Sequence, residues 1–122
     1  MAEKLQENIG RNLMQKINEE EIHKAVDWLK NYAGVCAETK ATRFYLEAFS
    51  KSLKAILMSK HLELPISAQE REAYSSKEYQ DHLKAVKIAI ERDEKNKYLR
   101  ESAMVKIETW RTQEANLRAI KL

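Results

Sequence analysis

The sequence predicts an all-α protein: a long antiparallel helical hairpin with coiled-coil-like seams and a short N-terminal helix, dimerising into a helical bundle. Three observations predict it. The 122 residues include only two glycines and one proline, the residue types that most often interrupt helices. Apolar residues recur every seven positions through the first half of the chain. The one proline, Pro65, stands near the middle, where a long helix must stop.

In the first element, residues 2–16, Leu5, Ile9 and Leu13 are spaced by four with Met14 beside them, which predicts a short amphipathic helix. Gly10 weakens it by about 1 kcal/mol relative to alanine. The first long arm covers residues 18–62. Asn18 is suited to cap it, and Glu19, Glu20 and Glu21 suit the positive end of its dipole. From there Ile22, Leu29, Cys36, Arg43, Ser50 and Leu57 recur every seven residues, with Ala25, Tyr32, Thr39, Leu46, Leu53 and Lys60 three behind. Gly34 has no capping residue close after it, so the reading is one uninterrupted helix, bent at most at Gly34.

A corner follows over residues 63–75. Pro65 pushes Leu64 away from helical angles. Ser67 with Glu70 reads as a capping box opening a turn or two of helix. Ser75 with Glu78 reads as a second, flanked by Tyr74 and Tyr79 at the spacing of a hydrophobic staple. The second arm, residues 76–122, contains neither glycine nor proline.

Long helices joined by a short corner default to an antiparallel pair. Counting outward from the corner, Arg43 is nineteen residues before Leu62 and Glu94 nineteen after Ser75, so the two should be level. The same count sets Trp28 level with Trp110. One seam buries too little to offset the ordering of so long a chain, so a homodimer or larger helical oligomer is expected.

Composition excludes several classes. Hydrophobic residues at 43% and charged residues at 34% suit extended helices with narrow seams. No stretch approaches the apolar length of a membrane span, and residues 1–7 begin no secretory leader, so a cytoplasmic protein is expected. One cysteine, Cys36, excludes an internal disulfide framework. His23, His61 and His82 are scattered, and a single Glu-x-x-His at Glu20 lacks the second copy a di-iron bundle uses. No Gly-rich loop or nucleophile motif is present, so the reading is a non-enzyme that needs no cofactor.

Three sets of residues remain. Thr39, Lys40 and Arg43 break the seam midway along the first arm, and Arg43 is expected to pair with Asp93 or Glu94. Such a polar band sets register more often than it binds an acidic partner. Lys40, Arg43, Lys51 and Lys54, extended by Lys84 and Lys87, form a basic stripe that could touch phosphates, within a segment, residues 39–62, whose net charge is +4. The terminal set, Trp110, Arg111, Gln113, Glu114, Leu117 and Arg118, is rich in the side chains that anchor protein interfaces.

Residues 51–58, 67–74 and 107–116 resemble segments of small helical proteins encoded by tailed bacteriophages, in the same order over about residues 20–120. The resemblance implies a viral protein acting in the host bacterial cytoplasm and associated with phage recombination or replication regions. It carries over no functional residue. The resulting expectation is a helical adaptor that self-associates and binds a phage or host protein. Direct nucleic-acid binding through the basic stripe, and inhibition of a host defence or repair complex, stand as alternatives.

Overall fold

The computed structural model describes residues 15–121, and among these all regular structure is helical. The helices are α1 (Glu19–Asn31), α2 (Ala33–Met58), α3 (Ile66–Ser75) and α4 (Lys77–Lys121), with a short 3₁₀ turn at Ser59–His61. The helix expected over residues 2–16 lies outside the described residues up to Met14, and residues 15–18 carry no helix. The chain divides into two compact units, Tyr32–Leu99 and the combination of Met1–Asn31 with Arg100–Leu122. Helix α4 contributes to both.

In the terminal unit, Asn18 starts α1. Its Oδ1 accepts the Glu21 N–H at 2.8 Å, and its backbone carbonyl accepts the Ile22 N–H at 3.3 Å. Glu19, Glu20 and Glu21 fill the first turn and Lys30 the last, the charge order the helix dipole favours. Ile22 and Ala25 are its buried residues.

The first arm is not continuous. Helix α1 ends at Asn31, and Tyr32, at φ −97° and ψ 3°, stands between it and α2. The break lies two residues before Gly34, where a bend was expected. Helix α2 has no side-chain cap and no acid in its first turn, so nothing local marks its start. Gly34 does not have positive φ, and a Cβ there would meet nothing within 4 Å. Its low helix propensity, rather than any steric need, is its contribution to a weak first turn.

The Tyr32–Leu99 unit contains α2, the corner and the first half of α4. Its buried apolar residues are Leu57, 4% exposed, Ala73, 1% exposed, and Ala89. Helix α3 packs on α2 here. Pro65, at ψ 153°, precedes α3 and makes no side-chain cap. The capping box expected at Ser67 is therefore absent, because Ser67 already lies inside the helix. Gln69 instead ties the start of α3 to the corner: its Nε2 donates to the Leu64 carbonyl at 2.8 Å and its backbone N–H to the Pro65 carbonyl at 2.9 Å.

Helix α4 is capped by Ser76, one residue later than the second box predicts. Ser76 is extended at ψ 151°, so its Oγ can accept the Tyr79 N–H at 3.2 Å. Ser75 instead ends α3, donating to the Glu72 carbonyl. The Tyr74 and Tyr79 rings meet edge to face, centroids 5.1 Å apart.

Candidate functional site

Along α2, Ser50, Arg43 and Thr39 meet His82, Asp93 with Glu94, and Asn96 of α4, in that order. The Arg43 Nη1 donates to Asp93 Oδ2 at 3.1 Å and to Glu94 Oε1 at 3.0 Å, while its Nε donates to Glu47 Oε1 at 3.3 Å. One guanidinium thus answers three carboxylates. The bonds from Glu94, then Asp93, then Glu47 raise the Arg43 pKa further above its already high ordinary value. Beside it, Asn96 Nδ2 donates to Thr39 Oγ1 at 3.1 Å, and Thr39 donates to the Cys36 carbonyl. The polar band is internally satisfied, which suits a register device better than an open binding site.

The basic stripe is partly used up in the same way. Arg43 is paired, and Lys54 bonds Glu70 at 3.2 Å while its Nζ lies 4.9 Å from the Tyr74 ring centroid. Tyr74 first, and Glu70 second, raise the Lys54 pKa. Lys40 sits 5.8 Å from the Phe44 ring. Lys51, Lys84 and Lys87 are exposed.

In the terminal unit, Gln113 and Glu114 are engaged by the chain itself. Gln113 Oε1 accepts the Ile17 N–H at 2.8 Å, its Nε2 donates to the Gln15 carbonyl at 3.3 Å, and Lys16 donates to Glu114. Lys16 holds the Glu114 carboxyl below its ordinary pKa. Trp110, Arg111, Glu114 and Arg118 line an open hollow of about 700 Å³. The Trp110 Nε1–H is buried and has no hydrogen-bond partner among the described residues. Leu117 is exposed.

Glu21 reaches Lys106 at 4.0 Å. Trp28, seven residues further along α1, therefore falls about two turns beyond Lys106 on the side away from Trp110. The two tryptophans share a unit but are not level. The outward count assumed one unbroken helix, and the break at Tyr32 invalidates it.

Sequence reasoning missed two features. Ser50 Oγ and His82 Nε2 share a hydrogen bond at 2.8 Å, with Phe49 and Tyr79 around the imidazole. A nucleophile and base would have this spacing, but His82 is 8% exposed with Phe49 and Tyr79 against it, and among the described residues no carboxylate bonds its ring. The contact joins α2 to α4. The second feature is a groove of about 390 Å³ between α2 and α4, lined by Thr39, Thr42, Leu46, Ala85, Ile88 and Ala89, with Glu38 and Arg92 at its rim. On α2 it takes Thr39 and Leu46 from the expected seam and Thr42 from a neighbouring column at seven-residue spacing, Val35, Thr42, Phe49 and Ile56.

Among the described residues no group of three or more His, Cys, Asp or Glu side chains could hold a metal, and no helix is long and apolar enough to cross a membrane. No family model, curated protein or solved structure matches the chain.

Proposed function

We propose that this chain is a non-enzymatic helical adaptor: an antiparallel hairpin that self-associates and presents the rest of its surface to a protein partner. The observation that carries this reading is the imbalance of apolar surface. Among the described residues seventeen large apolar or aromatic side chains are exposed, and only five apolar residues are buried. No large side chain among them is fully buried.

The likeness to phage-encoded helical proteins gives the setting: a host bacterial cytoplasm and a partner that handles phage DNA. Sedimentation equilibrium over a range of concentrations tests self-association, and the expected result is a mass of twice the chain or more. A single-chain mass at every concentration would refute it. Affinity capture from bacterial lysate tests for the second partner, with recovery of one stoichiometric protein as the expected result.

Direct nucleic-acid binding has less support. Arg43 and Lys54 are already paired within the chain, which leaves Lys40, Lys51, Lys84 and Lys87 as the open cations of the stripe. Four scattered lysines give weak and steeply salt-dependent affinity.

A further inference from the structure

We propose that the groove between α2 and α4 is the self-association surface, and that its occupant is the same groove of a second copy. The inference rests on the self-association proposed above and assigns it to named residues.

Helix α2 carries two neighbouring columns at seven-residue spacing. Arg43, Ser50 and Leu57 belong to the one that meets α4. Val35, Thr42, Phe49 and Ile56 form the other, of which Phe49 touches His82 of α4 edge-on while Val35, Thr42 and Ile56 are exposed. Three adjacent apolar positions per seven residues mark a bundle helix with more than one neighbour, whereas a two-helix seam needs two. Tyr45, 66% exposed, stacks on Phe49 with centroids 6.0 Å apart, and Ile88 across the groove is 48% exposed. Four of the lining residues, Thr39, Thr42, Ala85 and Ala89, are small and permit another helix to approach closely.

Charge at the rim selects a second copy. Glu38 and Arg92 are both exposed, one on each helix. The contacts of Thr39 with Asn96 and of Arg43 with Asp93 set their relative level: Glu38 and Arg92 differ by about five residues, or about 7 Å along the axis. A two-fold axis running along the groove lays α2 of one copy over α4 of the other at the same level. Glu38 then faces the partner's Arg92 within side-chain reach, and the pair occurs twice. A face with one acid and one base on opposite sides is complementary to itself under this operation, as an isologous interface requires. The area suffices. Helix α2 is about 39 Å long and two helices side by side are about 20 Å wide, giving about 800 Å² per copy, the size of a standard specific interface.

The test is a charge exchange on the full chain, read by sedimentation equilibrium and native mass spectrometry. Glu38→Arg and Arg92→Glu each place like charges opposite one another twice per dimer, so each variant alone should dissociate at least about tenfold more readily than the parent. Mixed, the two variants should form a one-to-one heterodimer, because every rim contact becomes attractive again. The double variant Glu38→Arg with Arg92→Glu in one chain should recover parental self-association. Both residues are exposed, and unchanged helical circular dichroism will show that the variants fold. A parent dimer whose two single variants and their mixture behave as the parent does would overturn this surface while leaving self-association standing. A parent that is monomeric at all concentrations would overturn both.

Discussion

The corner and the middle of the α2–α4 pair join elements of one unit by different physics. At the corner, Leu57 and Ala73 are almost sealed from water, Gln69 closes the chain on Leu64 and Pro65, and Ser76 caps α4. Midway along, apolar burial gives way to one guanidinium and three carboxylates around Arg43. Burial depends on volume and is nearly indifferent to salt. Ion pairing in a partly wet seam depends on salt and on geometry. The corner thus supplies stability, while the charge cluster penalises any sliding of α2 along α4.

The largest expected effect is at the corner. Leu57→Ala should destabilise by about 2–3 kcal/mol, the low end for such truncations because a thin structure relaxes around the gap. Urea unfolding measures it, and the loss should not vary with salt. Arg43→Ala should cost less, and its loss should shrink as sodium chloride is raised. A salt-independent loss would mean that Arg43 acts through packing, and the contrast between the two regions would collapse.

Ser76→Ala should cost about 1 kcal/mol by uncapping α4. By comparison Gly34→Ala should stabilise by about 0.5–1 kcal/mol, since the new methyl meets open space and alanine favours the weak first turn of α2. Both follow from thermal unfolding, and loss of stability in the second would show that the break at Tyr32 is required.

The smallest effect is in the terminal unit. Lys16 lowers the Glu114 pKa from its ordinary 4.5, so this contact stabilises fully above pH 4.5 and fades as pH falls through the lowered value. The Ile17 amide resonance, bonded to Gln113, should shift in that acidic range, and Glu114→Gln should remove the Glu114-dependent part of the shift.

The legible parts of the fold were those whose cause is local. Asn18 before three glutamates caps α1, and the position of Pro65 bounds the corner. Counting outward over unbroken helix placed Arg43 beside Glu94, and its guanidinium meets both Asp93 and Glu94. The same count failed for the tryptophans, because the helix breaks at Tyr32, two residues before the Gly34 where no more than a bend was read. The box at Ser67 failed because α3 already begins at Ile66, after Pro65, which puts Ser67 inside the helix. The second box slipped by one residue: Ser75 and Ser76 can each offer an oxygen, and Ser76 caps because its backbone is extended.

The sequence by itself determined helical content and where the heptad columns lie, because both depend on residues within a turn or two of one another. How far each column engages α4 was decided only by the tertiary structure, which sets Phe49 against His82 but leaves Val35 and Ile56 exposed. Val35, Thr42, Phe49 and Ile56 repeat as regularly as Cys36, Arg43, Ser50 and Leu57, and hydrophobic periodicity cannot rank two neighbouring columns. The reach of Arg43 to Asp93 and Glu94, and of Ser50 to His82, chooses between them. Those partners are 32 to 51 residues away, too distant in the chain for any local rule to pair.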